Sequence, residues 1–336
     1  MTDTLLPIRS ASLRGYTELV HALGHDPQPL LRAAGLSARL LKDPETLISS
    51  DAVCELLEDT AAATRTEDFA LRLAAMRDLS NLGPISLVLR DEPTPRQALD
   101  TLCRYLRLLN ASLVTRIEEV GSAVLIREDL VLRRPRAMRQ SMELAIGVMF
   151  RILRELIGPQ WRPLGVGFTH RPPADPAAHR AFFGRRVAFH QDYNGLLCAA
   201  ADLQIAQAPS NPGVAGFARG YLESALSSRR VGSVETVRQL MLALLPGGRC
   251  TAQQVAHHLR MDRRTLHRHL AADGLGFTGL LQQVRVDVAQ RHLRESDLPL
   301  ADVAALLGFS SASAFSHWFR ASFGCSALQW RRQAGA

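Results

Sequence analysis

The sequence predicts an α+β N-terminal domain followed by an all-α C-terminal domain that contains two helix-turn-helix units. Three observations carry this prediction. Helix and strand patterns are mixed up to about residue 206. Only helical periodicity follows a stretch rich in Pro, Gly and Ser at 207–216. Within the helical part, an interrupted helix pattern occurs twice, at 252–270 and at 301–319.

The first part of the chain combines helices with short strands. In segment 94–109, Thr94 is a residue type that caps helix N-termini and Pro95 suits the first helical turn, so a helix is expected there. Residues 113–129 have the pattern of two strands around a turn near Gly121. Further helices are expected at 11–24, 50–64 and 136–158, and further strands at 163–170, 186–190 and 195–200.

The stretch 207–216 interrupts the periodicity on both sides and is the predicted linker. We therefore expect one domain at 1–206 and a second at 217–336. After the linker, short breaks that contain Pro or Gly separate successive helical patterns. These patterns lie at 214–228, 233–245, 251–259, 262–272, 276–295, 299–307, 311–322 and 326–333.

The two interrupted patterns match each other closely. At an offset of 48 residues their apolar positions coincide, and Asp262 falls in step with Ser310, both of a type that caps helix N-termini. One extra residue then enters the second pattern, and the apolar positions coincide again. The matched pairs are Val255/Val303, Ala256/Ala304, Leu259/Leu307, Met261/Phe309, Leu266/Phe315 and Leu270/Phe319. This repeat predicts helix-turn-helix units at about 251–272 and 300–322.

The second helix of each unit should present one face to solvent, because its apolar residues anchor the opposite face. In the first unit the outward residues are Arg264, His267, Arg268 and Ala271. In the second unit they are Ala312, Ser313, Ser316, His317 and Arg320. These side chains suit DNA, because Arg fits guanine O6 and N7, Ser and His bond base edges or phosphate, and Ala can meet a thymine methyl.

The segment 276–295 is apolar on two sides, which predicts a helix buried between the two units. Its apolar residues are Phe277, Leu280, Leu281, Val284 and Val288 on one side and Val286, Ala289 and Leu293 on another. Such a connector would hold the units rigidly. One chain could then place two helices in successive major grooves about 34 Å apart.

Positive charge is concentrated in the helical part. The whole chain carries a formal charge of +8, with a sequence pI of about 9.9. Residues 214–336 contain 15 arginines, no lysine and eight acidic residues, and so contribute +7 of this charge. The asymmetry favours a basic module that meets a polyanion, with a solvated basic face as the alternative.

Several kinds of site and location are not indicated. No run of about 18 apolar residues predicts a membrane span, and the N-terminus has no secretory signal pattern. The five cysteines are scattered, and His257/His258 and His267/His269 point apart on a helix, so neither a metal nor a cofactor is expected. These features predict a cytoplasmic protein with reduced thiols and no membrane partner.

The last third of the chain resembles the DNA-binding domain of the AraC/XylS family of bacterial transcription regulators. The motifs are QQVAHHLRMDRRTLHRHL (253–270), ADVAALLGFSSASAFSHWFRASFG (301–324) and LQWRR (328–332). Residues 30–200 resemble the effector domain of certain members, which is often labelled arabinose-binding; the label does not specify a sugar for this chain. The motifs there are LLRAAGLSARLLKDPETLIS (30–49), YLRLLNASL (105–113) and WRPLGVGFTHRPPADPAAHRAFFGRRVAFHQDYNGLL (161–197).

The resemblance implies a sequence-specific regulator that binds double-stranded DNA and is controlled by a small-molecule effector on the α+β domain. It implies DNA contacts by Arg264, His267, Arg268, Ala312, Ser313, Ser316 and His317. Because long donors reach base edges more readily than short ones, the first unit is expected to dominate base discrimination. Homodimer formation and a contact with RNA polymerase stay open, as does the choice between activation and repression.

Two alternatives remain beside this interpretation. The α+β domain could be an enzyme that a basic helical tail recruits to DNA. Against this, residues 1–206 contain no nucleophile elbow, phosphate loop, HExxH or paired-carboxylate motif, so no enzyme is expected. The protein could also bind DNA without sequence preference. A ratio of specific to random binding near one would favour that architectural role.

Overall fold

The computed structural model describes residues 6–132, 137–207, 211–228, 234–248, 250–259, 261–296 and 298–334. Within these residues, the mixed first part and the helical second part both appear as predicted. No helix in this described portion is long and apolar enough to cross a bilayer.

The first part forms helices whose caps match the sequence signals. Thr94 precedes its helix and accepts a hydrogen bond from the Gln97 backbone N–H, with Pro95 as the first helical residue. The helices are α1 (Tyr16–Ala22), α2 (Pro27–Ala33), α3 (Ser50–Ala63), α4 (Phe69–Ala75), α5 (Pro84–Leu89), α6 (Pro95–Leu109), α7 (Arg139–Ile157) and α8 (Ala177–Phe183). Short 3₁₀ turns lie at Ser10–Leu13, Leu79–Leu82 and Asp202–Gln204.

Two sheets accompany these helices. The strands are β1 (Pro7–Arg9), β2 (Leu47–Ser49), β3 (Leu113–Val120), β4 (Ala123–Leu130), β5 (Gly165–Gly167), β6 (Val187–Ala188) and β7 (Gly195–Ala199). Strands β1 and β2 pair with each other, and the other five form one sheet in the order β3-β4-β7-β5-β6. The predicted hairpin is present, with Val120 opposite Ala123 across the turn at Gly121. In the larger sheet only β5 and β6 pair in parallel.

The helical part follows the predicted segments to within one or two residues. Its helices are α9 (Pro212–Ser228), α10 (Val234–Leu244), α11 (Ala252–His258), α12 (Arg263–Ala272), α13 (Phe277–Glu295), α14 (Leu300–Leu306), α15 (Ala312–Phe323) and α16 (Ala327–Ala334). A 3₁₀ turn at Pro246–Gly248 joins α10 to the first helix-turn-helix unit.

Helix α9 begins at Pro212, inside the predicted linker, and packs on α5 and α6 of the first part. Its Ala218 and Leu222 are buried in the core of that part. On its flank, Glu223 pairs with Arg104 at 2.8 Å. The Pro- and Gly-rich sequence therefore opens a helix of the first domain instead of a free connection, and we assign α9 to that domain.

Three clusters of buried apolar residues organise the chain. One lies among α1 to α4, and a second between the larger sheet and α5, α6 and α7. The third fills the helical domain, and it also takes in Leu6, Val114 and Val131 from the first domain. These three residues thus extend the core of the helical domain across the domain boundary.

A candidate nucleic-acid interface and a buried cavity

The two helix-turn-helix units have the same backbone geometry at the turn. In each unit the first helix ends with two matched hydrogen bonds, at an offset of 48 residues. The first pair is Leu259 N to Val255 O (3.1 Å) and Leu307 N to Val303 O (3.1 Å); the second is Met261 N to Ala256 O (3.0 Å) and Phe309 N to Ala304 O (3.0 Å). The repeat seen in the sequence is therefore a structural repeat.

The N-caps of the second helices depart from the predicted alignment by one residue. Asp262 caps α12 and accepts from the Thr265 backbone N–H at 2.7 Å. In the second unit the cap is Ser311, which accepts from the Ala314 backbone N–H at 3.2 Å, and not Ser310. The extra residue therefore enters the turn before the cap, because the cap must lie three residues ahead of the N–H that it accepts from.

The predicted outward face of each second helix is exposed. Leu266 and Leu270 of α12 and Phe315 and Phe319 of α15 are buried, which leaves the opposite faces to solvent. All seven candidate DNA contacts are exposed: Arg264, His267, Arg268, Ala312, Ser313, Ser316 and His317. Their contact with DNA stays a prediction.

The connector helix α13 contributes to the apolar core that the two units share, as its two apolar sides predict. Its Val284 and Ala289 are almost fully buried. Trp318 of α15 donates its indole N–H to Gln282, which ties the second recognition helix to α13. Arg285 donates to the Leu307 carbonyl at 3.1 Å and stacks over the Phe309 ring at 4.5 Å. Helix α13 thus holds the turn of the second unit in place through Arg285.

The same helix joins the DNA-binding domain to the first domain. Arg291 donates to the Leu130 carbonyl at 2.7 Å and pairs with Asp129 at 3.2 Å, both at the end of β4. Arg116 of β3 also pairs with Asp129. Burial by itself would raise the pKa of Asp129, but Arg291 and Arg116 outweigh it and hold that pKa below its ordinary value. The junction is therefore an ionised and specific contact.

A largely apolar cavity of about 160 Å³ lies in the first domain, among α3, α6, α7 and the β3–β4 hairpin. Leu130 and Leu132 at the end of β4 line it. Val131, between them, packs in the core of the DNA-binding domain. This strand end therefore has the cavity on one face and the other domain on the opposite face.

Polar atoms without a hydrogen-bond partner are concentrated around this cavity. In the described part of the chain, several buried side-chain polar atoms have no hydrogen-bond partner. Seven of them belong to residues that line the cavity: Arg9, Ser12, Ser50, Arg77, Asn81, Glu128 and Ser141. Because buried polar groups are almost always paired in native proteins, this concentration makes the cavity the candidate ligand site of the first domain.

The carboxyl group of Glu128 faces this cavity and is 1% exposed. Burial raises its pKa to about 8. A carboxyl whose pKa is higher in the folded state contributes most stability below its unfolded pKa of about 4.5, and this contribution is lost as the pH rises towards 8. At neutral pH Glu128 is therefore largely uncharged and can donate a hydrogen bond.

Replacing Glu128 with Gln should stabilise the protein at alkaline pH. The gain in free energy of unfolding, relative to the parent chain, should grow by about 3 kcal/mol between pH 5 and pH 8, since the amide has no proton to lose. Denaturant unfolding of both proteins at both pH values measures this difference, and replacement of the exposed Glu18 of α1 with Gln is the control. A gain that does not vary with pH would contradict the raised pKa.

The sequence patterns predict the DNA-facing residues but identify no effector-binding residue at this cavity. A weak signal is present, because side chains alternate along a strand and Glu128 therefore shares a face of β4 with Val124, Ile126 and Leu130. Which of the many charged residues point inward depends on how the helices pack over the sheet, and a single sequence does not contain that information.

Comparison with known proteins gives an independent result for both domains. Residues 24–206 match the model of the arabinose-binding domain of AraC transcription regulators, N-terminal, and residues 255–333 match a helix-turn-helix domain model. The HTH-type transcriptional regulator VirS of Mycobacterium tuberculosis is 32% identical over 98% of this chain and 97% of its own length.

Two further relatives come from Pseudomonas aeruginosa. The ornithine utilization regulator is 26% identical over 95% of this chain and 94% of its own length. The crystal structure of the transcriptional regulator CdpR covers 91% of this chain and 96% of its own, with 22% sequence identity and a TM-score of 0.44. Since the N-terminal model matches more than half of the chain and VirS aligns along nearly all of it, this protein belongs to the AraC family of DNA-binding transcription regulators.

Proposed function

We propose that the protein regulates transcription by placing α12 and α15 in the major groove, with base recognition dominated by α12. The observation that carries this proposal is the exposure of Arg264, His267 and Arg268 on one face of α12. On α15 the equivalent face carries Ala312, Ser313, Ser316 and His317. The guanidinium of an arginine can donate to both O6 and N7 of a guanine. Short side chains reach bases only when the helix lies close to them, and otherwise contact phosphates.

The experiment that tests this function is binding of the full chain to DNA. Selection from a random duplex library would yield the preferred operator. Fluorescence anisotropy would then compare the operator with scrambled DNA at two salt concentrations, because phosphate contacts weaken with salt while the ratio between the two sequences reports base recognition. Equal affinity for both DNAs would favour an architectural protein and contradict the proposal.

A small-molecule effector in the first domain is the proposed controller of this binding. The supporting contact is the end of β4, where Leu130 and Leu132 line the cavity and Val131 packs into the helical domain. Arg291 of α13 donates a hydrogen bond to the Leu130 carbonyl at the same strand end. A ligand that shifts this strand would act on α13, which contributes to the core of the DNA-binding domain, as long as the ligand binds the two arrangements with different affinity.

We propose that the first domain senses its ligand without turning it over, and that the protein acts in the cytoplasm, where bacterial DNA lies. The enzyme alternative requires accessible acid–base groups. Within the described residues, His179 bonds the Glu143 carboxylate at 2.9 Å, but both side chains are fully buried. His179 also packs edge-on against Phe168 and Phe189. This pair supports the fold from within and offers no surface to a substrate.

Self-association through α9 is a further proposed property. Val214, Phe217 and Tyr221 lie on one side of this helix and are exposed, Phe217 by 82%. An exposed apolar stripe of this kind suits a second copy of the same helix. Phe217→Glu should lower the association constant at least about tenfold, the equivalent of 1.4 kcal/mol. Sedimentation of the parent and the variant measures this, and a parent that is monomeric at high micromolar concentration contradicts it.

A further inference from the structure

The cavity of the first domain contains a buried cation that no acidic group balances. Arg77 is 3% exposed and lines the cavity. Its two terminal nitrogens donate to the Ala11 and Ser12 carbonyls, and its Nε has no partner. No carboxylate among the described residues pairs with it. Burial and the neighbouring Arg14 lower its pKa to about 10, so the guanidinium is still charged at neutral pH.

Further donors belong to the same corner of the cavity. Arg9, which pairs with exposed Glu45, has an unpartnered Nε and bonds the Leu82 carbonyl at 3.4 Å. Next to Leu82, Asn81 has an unpartnered amide nitrogen, and the Ser12 hydroxyl is also unpartnered. These groups come from residues 9–12, at the end of β1, and from residues 77–81, which follow α4. Almost all of their unpartnered atoms are hydrogen-bond donors.

An anion would satisfy these unpartnered donors and the Arg77 charge better than a neutral group would. A guanidinium has five N–H donors, and the two carbonyl contacts of Arg77 leave three of them unused. Buried charge is costly unless it is paired, and carboxylates pair with guanidinium groups through two parallel hydrogen bonds. Without an anion, the charge of Arg77 is not paired with any carboxylate of the described residues.

The rest of the cavity sets the size and polarity of the ligand. Its wall is mainly aliphatic, with Leu57, Leu102, Leu106, Val148, Met149 and Ile152 among the lining residues. Its volume of about 160 Å³ is close to that of a cavity known to hold one benzene ring, about 150 Å³. A sugar, with a hydroxyl on nearly every carbon, would place part of its polar surface against this aliphatic wall.

We propose that this cavity binds a compact organic monocarboxylate, with its carboxylate on Arg77 and an apolar part of about six to eight carbon atoms among the aliphatic residues. We take this monocarboxylate to be the effector, so the proposal rests on the proposed function, in which an effector in the first domain controls DNA binding. The Glu128 carboxyl lies on the wall of the same cavity and is positioned to bond a second polar group of the ligand.

Binding to the full-length chain tests the proposal directly. Benzoate and octanoate, as aryl and acyl versions of the same chemistry, are titrated by calorimetry and thermal shift, with neutral benzamide and octanamide as matched controls and L-arabinose as the polar control. We expect at least one carboxylate to raise the melting temperature and to bind at least about tenfold more tightly than its amide, because a hydrogen bond to a charged group is worth that much or more.

Two variants locate the site. Arg77→Gln should weaken carboxylate binding at least about tenfold, whereas Arg72→Gln on the exposed side of α4 should leave it unchanged. If Arg77→Gln does not fold, Ala145→Phe provides the second test, since its ring would occupy part of the cavity while Arg77 is retained. Ala145→Phe should abolish binding while operator binding without ligand persists.

The outcomes separate this proposal from the function that it rests on. Equal affinity for carboxylate and amide, or unchanged binding in a folded Arg77→Gln variant, overturns the assignment of the anion site. Failure of both carboxylates to bind, with operator DNA still recognised, overturns the ligand class alone. A chain that prefers no DNA sequence contradicts the proposed function instead, whatever the ligand result.

Discussion

Replacing Gly308 with Val should destabilise the helical domain by roughly 3–5 kcal/mol. Gly308 has a φ of +72°, a conformation that β-branched residues resist. A Cβ at this position would also lie 2.4 Å from the Leu245 carbonyl oxygen, in the segment that leads into the first unit. The two costs add because the backbone of Leu245 cannot move aside as a flexible side chain would.

Gly274 provides a matched control for this prediction. It has nearly the same φ, +73°, but nothing lies within 4 Å of the position where its Cβ would be. Gly274→Val should therefore carry the backbone strain alone, about 1–3 kcal/mol. Guanidinium melts followed by circular dichroism compare the two variants. If Gly308→Val is no less stable than Gly274→Val, the contact with Leu245 is not limiting and our account of this turn is wrong.

Removing Arg264 and Arg268 together should lower the ratio of operator to random binding roughly 100-fold, because each bidentate contact with guanine is worth about 1–3 kcal/mol. Both side chains are exposed on α12, and the Asp262 cap does not depend on them. The double alanine variant should therefore fold normally. Anisotropy with operator and scrambled DNA at two salt concentrations measures the ratio.

Two comparisons make this result interpretable. Ser313→Ala with Ser316→Ala on α15 should change the ratio less, because those short side chains are assigned mainly to affinity and register. Arg39→Ala with Arg180→Ala removes the same charge from exposed positions of the first domain and should leave the ratio unchanged. A larger effect of the serine pair than of the arginine pair would reverse the order of the two units, and α15 would then be the main reader of sequence.

Local sequence determined the helices of this protein and the faces that they expose. Spacing of apolar residues such as Leu266 and Leu270 decides which side of α12 is buried, and the opposite side follows from helical geometry alone. Caps such as Thr94 and Asp262 act within three residues of themselves, so their signals are readable without a structure. The resemblance of the motifs at 253–270, 301–324 and 328–332 to the AraC/XylS DNA-binding domain also predicted family membership, because such motifs are continuous in the sequence.

Other features depend on contacts between residues far apart in the chain. The Pro- and Gly-rich start of α9 suggests a linker, yet Ala218 and Leu222 bury this helix against the first domain. Likewise, an arginine that follows a helix is ordinarily solvated, but Arg77 is buried where it donates to the Ala11 and Ser12 carbonyls, more than 60 residues earlier in the chain. Burial of this kind is decided by the packing of many elements at once.

The sequence by itself therefore determined the two-domain order, the paired DNA-binding units and the face that each presents, since all of these follow from periodicity and short-range capping. Only the tertiary structure decided the cavity with its unpaired guanidinium, the place of α9, and the grip of Arg291 on the end of β4. The physical reason is that a cavity and a domain junction are spaces between elements, and their shape and charge come from residues that meet only after the chain has folded.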